Sequence, residues 1–300
     1  MIPSHHITVC ICTYKRVDML RRLLDSLNAQ QTEGLFSYSL VVADNDHMRS
    51  AQPAVATFAS TTQATVTYCV EPRQNIALAR NKAIENATGD FVAFIDDDEL
   101  PTRRWLLTLF EACNEYQSDG VLGPVKPYFA KEVPNWVVKG KFYERPTYPT
   151  GFIIDWTKGR TGNVLLRRHL FTPREQPFRP EFRSGEDQDF FRRMIERGHW
   201  FVWCNEAVAY EIVPPARWRC TFMLRRALLR GALSPIHPSF GARHIAKSLI
   251  AVPAYTASLP IALILGRHRL VALLTKLFTH LGSLLACLGI KLIKDAYVTE

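Results

Sequence analysis

Residues 7–12 form a short apolar run rich in β-branched side chains. A polar break follows, and then Met19, Leu20, Leu23, Leu24 and Leu27 recur at the spacing of a helix face. The alternation repeats along the next eighty residues. The run 40–43 stops at Asp44-Asn45-Asp46, and 65–70 stops at Glu71-Pro72. Residues 76–87 have helical period and close at Gly89, and 91–95 stop at Asp96-Asp97-Asp98. Strand and helix in turn predict an α/β fold, a mostly parallel sheet with helices on both faces. Ligands of such sheets bind beyond the carboxyl ends of the strands. Four stretches should therefore share one rim: Thr13-Tyr14-Lys15-Arg16, Asp44-Asn45, Arg73-Gln74-Asn75 and Asp96-Asp97-Asp98-Glu99.

The pattern changes twice further on. From about 125 to 185 it is irregular and rich in Pro, Gly and aromatic residues, the makeup of long ordered loops that cover sites. Beyond 214 it becomes helical and apolar. Over 270–290, Leu270, Leu273, Leu274, Leu277, Phe278, Leu281, Leu284, Leu285 and Leu288 fall on one stripe, while Lys276, His280, Ser283, Cys287, Lys291 and Lys294 fall on the other. Such a helix either lies in the headgroup plane of an anionic membrane or docks on the enzyme's own core. Residues 248–266 carry no charge, enough length to cross a bilayer. Pro253 and Pro260 predict interruption, and with it a re-entrant or half-buried helical pair. The expected organisation is an α/β domain over 1–214 and a basic, apolar helical region over 215–300.

Charge sharpens that division. The chain carries 37 Lys and Arg against 28 Asp and Glu, a net +9. Beyond Pro214, twelve Lys or Arg face only Asp295 and Glu300, so the excess positive charge lies in the last third. This predicts an anionic membrane surface as partner, with Arg225, Arg226, Lys276, Lys291 and Lys294 meeting lipid phosphates or the diphosphate of a polyprenyl-linked acceptor. Nucleic acid is not expected, because the basic region is too apolar and has no recognition motif. Seven cysteines without a C-x-x-C pair read as buried thiols of a reducing compartment and offer no zinc framework. The first residues hold no secretory apolar region, which places the expected location at the cytoplasmic face of the cell's inner membrane.

Three aspartates after an apolar strand repel one another unless something positive neutralises them. A hard dication such as Mg²⁺ or Mn²⁺ takes carboxylate oxygens and leaves positions for phosphate; the alternative is a solvated acidic turn that caps the next helix. A second acidic group, Gly185-Glu186-Asp187-Gln188-Asp189, precedes a helical run, where the helix dipole favours acids. Capping alone accounts for that group. With Arg73 and Arg80 between them in sequence, the two clusters together suggest a diphosphate site facing a general base. Neither G-x-G-x-x-G after the first strand nor G-x-x-x-x-G-K-[ST] is present, which removes the usual dinucleotide and P-loop readings.

Val9-Cys10-Ile11-Cys12-Thr13-Tyr14-Lys15-Arg16, Val41-Val42-Ala43-Asp44-Asn45, Ala79-Arg80-Asn81, Phe94-Ile95-Asp96-Asp97-Asp98 and Gly185-Glu186-Asp187, in this order, resemble the family 2 glycosyltransferases, and most closely their ExoM-like bacterial polysaccharide subgroup. The similarity spans roughly 7–213. It implies a GT-A fold, a nucleotide-sugar donor, a divalent metal and inversion at the anomeric carbon. Carried over by position, Thr13 and Tyr14 match the turn against the nucleobase, and Asp44 the acid that bonds base or ribose. Asn75 and Arg80, with Arg73 nearby, match polar contacts to nucleoside or diphosphate. Asp96 and Asp98 match the Asp-x-Asp motif, Asp98 first among the metal ligands and Asp97 able to share the task. Asp187 matches the catalytic base, and Glu186 its supporting neighbour. Many relatives carry a late histidine as a further metal ligand. Here the stretch reads Ala207-Val208-Ala209-Tyr210-Glu211-Ile212, so Glu211 either takes that place or pairs with an arginine.

The sequence does not identify the donor; the expectation is a UDP-hexose, UDP-glucose or UDP-galactose, with GDP-mannose as the other option. Two rival classes remain: a membrane-bound scaffold of this fold without turnover, and a metal-dependent phosphohydrolase built on the aspartate trio. Gly162-Asn163, Trp136 and Trp156 are read either as sugar contacts or as ordinary turn and packing residues.

Overall fold

The computed structural model describes residues 5–172, 175–182, 185–236 and 240–290. Lys291 and Lys294, expected at the membrane, lie outside the described residues. In chain order the elements are β1 (His5–Thr13), α1 (Val17–Leu27), β2 (Phe36–Asp44), α2 (Gln52–Ala59), β3 (Thr65–Val70), α3 (Ile76–Glu85), β4 (Phe91–Ile95), β5 (Glu99–Pro101), α4 (Trp105–Glu115), β6 (Gly120–Leu122), β7 (Val125–Tyr128) and α5 (Asn135–Gly140). Then come β8 (Asn163–Arg167), α6 (Glu186–Glu196), β9 (Phe201–Trp203), β10 (Ala209–Ile212), α7 (Cys220–Leu233), α8 (Ala242–Ile264) and α9 (Arg267–Cys287). They form two compact units: Met1–Tyr128 with Arg145–Ile212, and Phe129–Glu144 with Val213–Glu300.

The first unit is built on a seven-stranded sheet in the order β3-β2-β1-β4-β8-β6-β9. β1 runs parallel to β2 and β4 and is buried on both faces, Ile7, Val9 and Ile11 in one core cluster and Cys10 in the other. That double burial is why the strand reads as a continuous apolar run. Leu20, Leu23, Leu24 and Leu27 of α1 fill the first of these clusters, as their spacing predicts. The expected parallel sheet is modified at one strand: β8 runs antiparallel to both β4 and β6. A run such as Val164-Leu165-Leu166 buries equally well in either direction, so its pattern carries no sense of direction. A second sheet, β5-β10-β7, sets Glu211 opposite Glu99.

The second unit contains α5 and α7 to α9, and residues 129–144 join it through Phe129, Val133 and Trp136, packed about Val137, Val213 and Trp218. α7 and α9 approach at two glycines. A Cβ on Gly231 would lie 2.0 Å from the Thr279 carbonyl oxygen, and one on Gly282 would lie 2.3 Å from that of Leu228, so neither position accepts a side chain. α8 corrects the sequence reading of 248–266: it is one continuous helix with Pro253 and Pro260 inside it. The two prolines lie two turns apart on one face, and each removes a single backbone donor. α9 also differs from the expected stripes. Ser283 is buried and His280 Nδ1 lies 2.9 Å from Ser248 Oγ of α8, so part of the polar stripe faces the helical neighbours. Lys276 remains exposed. α8 and α9 are long and apolar enough to cross a membrane.

Candidate active site

The carboxyl ends of β1, β2, β3 and β4 place the four predicted stretches along one rim of the first unit. The backbone stitches them in register: Asn45 N donates to Thr13 O at 2.8 Å, and Glu71 N to Asp44 O at 2.9 Å. Asn45 then closes the loop after β3. Its amide donates to the carbonyls of Glu71 and Arg73, both at 2.8 Å, and its oxygen accepts from Asn75 N at 2.8 Å.

Asp44 is 0% exposed. Its oxygens accept from the backbone of Asp46 and Ala51 and from the Tyr68 hydroxyl, at 3.0, 2.8 and 2.8 Å. It shapes the turn behind the rim. Asn75 is the N-cap of α3, its Oδ1 accepting from Ala77 N and Leu78 N while its amide donates to Pro180 O at 2.8 Å. Arg73 is exposed and bonds Glu71 through Nε at 3.1 Å. Tyr14 is half-buried at the rim beside Lys15.

The aspartates after β4 face different partners. Asp97 turns inward: Thr13 Oγ1 donates to its Oδ2 at 2.8 Å and Arg16 to its Oδ1 at 3.1 Å. Burial nevertheless pushes its carboxyl up to about 7, with Arg16 opposing and Asp98 adding to the rise. Asp98 is buried, its Oδ2 lying 3.3 Å from Arg16. The side chain of Asp96 is the open one, 43% exposed, with Arg80 at 3.6 Å; burial of its oxygens raises its pKa and Arg80 partly restrains that rise.

Behind the trio lies Glu99, buried and raised well above the ordinary carboxylate range by burial and by Asp96 and Asp98. Its Oε1 has no hydrogen-bond partner. Gly162 permits this approach, since a Cβ there would come within 2.8 Å of Glu99 Oε1 and 3.0 Å of Asp96 Oδ2. Glu211 pairs with Arg145 in a hydrogen-bonded ion pair, the second of its two sequence readings. Asn163 is structural: it accepts from Trp105 Nε1 at 2.7 Å and donates to the carbonyls of Pro124 and Ala207.

The second acidic group reaches the same rim because α3 pins the segment before it. Asn75 bonds Pro180 O, and Asn81 both donates to Phe178 O at 2.7 Å and accepts from Phe178 N at 3.0 Å. α6 then begins at Glu186, after Gly185 in a left-handed conformation at φ 88°. Glu186 is buried against Arg80 in a short ion pair. Burial raises the Glu186 pKa and Arg80 counters it. For Arg80, burial opposes the charge, but Glu186, Asp96 and Asp187 outweigh it and hold the guanidinium firmly protonated. Asp187 is half-buried, with one oxygen accepting from Gln188 N at 2.8 Å. Asp189 instead belongs to an ion-pair group with Arg179, Arg192 and Arg193 that stiffens α6.

Arg80 therefore joins the two acidic groups that lie far apart in sequence. An oxygen-only set of acids in which one buried carboxyl oxygen, Glu99 Oε1, has no hydrogen-bond partner suits a hard dication, and Asp96 presents the most open side chain of the trio to it. Arg16, Glu99, Arg145 and Asn45 belong to the rim although their roles were not read from the sequence. Arg16, Asn45 and Glu99 stood within the stretches that the sequence placed on the rim, whereas Arg145 carried no signal. Of the two tryptophans, Trp136 lies in the second unit under Arg267, whose guanidinium carbon is 4.6 Å from the ring centroid, and Trp156 packs on the first unit's core.

Residues 8–171 match the family model described as glycosyl transferase family 2. Among curated proteins, the succinoglycan biosynthesis protein ExoM of Rhizobium meliloti is 34% identical over 233 residues, covering 75% of this chain and 73% of that protein. Of several other curated relatives the chain spans less than half. Among solved structures, the Pyrobaculum calidifontis mannosyltransferase PcManGT in complex with GDP-Man and Mn²⁺ aligns over 96% of this chain and 88% of that one, at TM-score 0.61 and 19% identity. S. aureus TarS 1–349 in complex with UDP-GlcNAc aligns over 96% and 93%, at TM-score 0.53 and 17% identity. At these identities the structural likeness speaks to the fold, which is GT-A.

Proposed function

We propose, from the premise that this chain belongs to glycosyl transferase family 2, that it moves a sugar, with inversion, from a nucleotide-sugar donor to a lipid-linked or membrane-proximal glycan during cell-surface polysaccharide synthesis. The observation that carries this reading is Arg80, buried between Glu186 and Asp96. It sets the group that would act on the acceptor beside the group that would meet the diphosphate.

An acceptor hydroxyl is a poor nucleophile at neutral pH, and a carboxylate within hydrogen-bond reach that removes its proton contributes roughly 10²–10⁴-fold. Asp187 is that carboxylate: it is half-open at the start of α6, while its neighbour Glu186 is committed to Arg80. As the hydroxyl oxygen attacks the anomeric carbon, the bond to the nucleoside diphosphate breaks on the opposite side, which inverts the centre. Arg80 and Arg16 face the rim where negative charge gathers on the leaving diphosphate. Asp96 and Asp98 are the residues that would hold Mg²⁺ or Mn²⁺, which when bound stabilises the same charge.

Thr13 and Tyr14 form the edge against which the nucleobase lies. Asp44 and Asn75 support it from behind by fixing the turn and the α3 cap, and Arg73 stands exposed at the mouth. The donor we favour is a UDP-hexose. The second unit, with Arg225, Arg226 and Lys276, would hold the enzyme at the cytoplasmic face of an anionic membrane where a polyprenyl diphosphate-linked acceptor is presented. The deciding experiment supplies nucleotide sugars, Mn²⁺ and membrane lipid extract to wild-type protein and to Asp187→Asn. Binding of donor by both, with transfer lost in the variant, is expected. Wild-type turnover in the variant removes the assignment of the base, and release of inorganic phosphate without sugar transfer by the wild type removes the reading altogether.

A further inference from the structure

At the opposite edge of the seven-stranded sheet, three residues far apart in sequence meet. Asp119 immediately precedes β6, His199 lies just ahead of β9, and His169 follows β8, which runs the other way. Arg167 of β8 pairs with Phe91, at the amino end of β4, so all three stand at the end of the sheet remote from Asp96. His169 Nε2 lies 2.8 Å from Asp119 Oδ1, and His199 Nδ1 lies 3.3 Å from Asp119 Oδ2. One potential ligand atom from each residue falls within 4.8 Å of the other two.

We propose that Asp119, His169 and His199 form a second metal site, for a borderline transition-metal dication of the zinc class. Zinc bonds imidazole nitrogen and carboxylate oxygen at about 2.0–2.2 Å, which sets neighbouring tetrahedral ligand atoms about 3.3–3.5 Å apart. The two observed separations, 2.8 and 3.3 Å, lie at or just below that figure, so only small side-chain adjustments bring the three onto one ion. Two imidazoles with one carboxylate select zinc, nickel or copper over the hard dications that suit the aspartate rim. The carboxylate is already oriented, because Asp119 Oδ2 accepts from Trp200 N at 3.1 Å, the kind of supporting bond that holds a ligand in place. The His169 side chain is 53% exposed, which gives the ion a path in and leaves its remaining position to water. The bound ion would add a clip across the starts of β6 and β9 and the end of β8, segments already linked by backbone bonds from Asp119 N to Trp200 O at 3.0 Å and from Arg167 N to Asp119 O at 2.9 Å.

The test uses the full chain carrying Asp96→Asn and Asp98→Asn, so that the rim does not compete for the ion. Zn²⁺ titrated into this protein by calorimetry should bind at one equivalent and raise the melting temperature, and Mg²⁺ should do neither. Adding His169→Ala and His199→Ala should abolish both effects. His199→Gln alone, checked to melt like its parent without zinc, should weaken binding by at least about tenfold. Zinc binding that survives the histidine changes, or no binding at micromolar zinc in the parent, overturns the proposal.

Discussion

The two units dispose of their apolar and charged residues in opposite ways. In the first, leucine, isoleucine and phenylalanine are sealed between sheet and helices, and even charged groups such as Asp98, Arg80 and Glu186 are drawn inside. In the second, α8 turns Ile250 and Ile264 outward at 72% and 85% exposure, with Leu249, Ile261, Leu263 and Leu265 also exposed. Exposed apolar side chains in such number on one helix call for a lipid or protein partner. A buried charge, in turn, calls for a counter-ion. In the first unit those charges meet one another, Arg80 with Glu186 and Asp96, and Arg16 with Asp98; the second unit leaves its apolar side chains without such partners on its surface.

The contrast can be broken first at the chemistry. Asp187→Asn should lower sugar transfer by roughly 10²-fold or more while donor binding stays near wild type, measured as turnover beside calorimetry. A parallel loss of donor binding would place Asp187 among the donor contacts. Next comes the charge inside the first unit. Arg80→Met strips the partner from Glu186 and Asp96 and should cost about 3–5 kcal/mol in denaturant unfolding. A change near zero would mean that those carboxyls are readily neutralised by protons.

The second unit offers a smaller effect. Ile250→Glu with Ile264→Glu should release the protein from vesicles of anionic lipid in a flotation assay without altering its melting temperature. Unchanged flotation would move the membrane contact away from α8. The smallest effect concerns pH. Asp97 is held at about 7, above its ordinary value of 3.8, so the folded state binds its proton more tightly than the unfolded chain does. That contribution to stability is present in full below its ordinary value of 3.8 and is lost progressively as the pH rises from there through about 7. The melting temperature of Asp97→Asn should fall less steeply between pH 5 and 7.5 than that of the metal-free wild type, and equal slopes would assign the titration elsewhere.

Much of the first unit was legible because its buried strands end abruptly at polar residues. The breaks after residues 12, 43, 70 and 95 mark the rim. What the pattern does not encode is direction and partnership. The reversed course of β8 is invisible in an apolar triplet. The bonds that Asp44 accepts from Tyr68 and Ala51 join residues that no spacing rule connects to it. Arg145 and Glu211 meet only because the irregular stretch folds back, and its composition announced loops but no contact. In the second unit the helical period was plain. The burial of Ser283 followed from Gly231 and Gly282 letting α7 and α9 close up, a packing event rather than a hydrophobic one.

The central claim is that the acids after Ile95 form, with a dication, the seat of a nucleoside diphosphate. Titration of UDP and GDP into the purified chain, each with and without Mn²⁺, tests it most directly. One nucleotide should bind with measurable heat only when Mn²⁺ is present, and Asp98→Asn should lose that dependence. If neither nucleotide binds under either condition, or if binding is the same with and without the ion in both proteins, the aspartate rim is not a donor site.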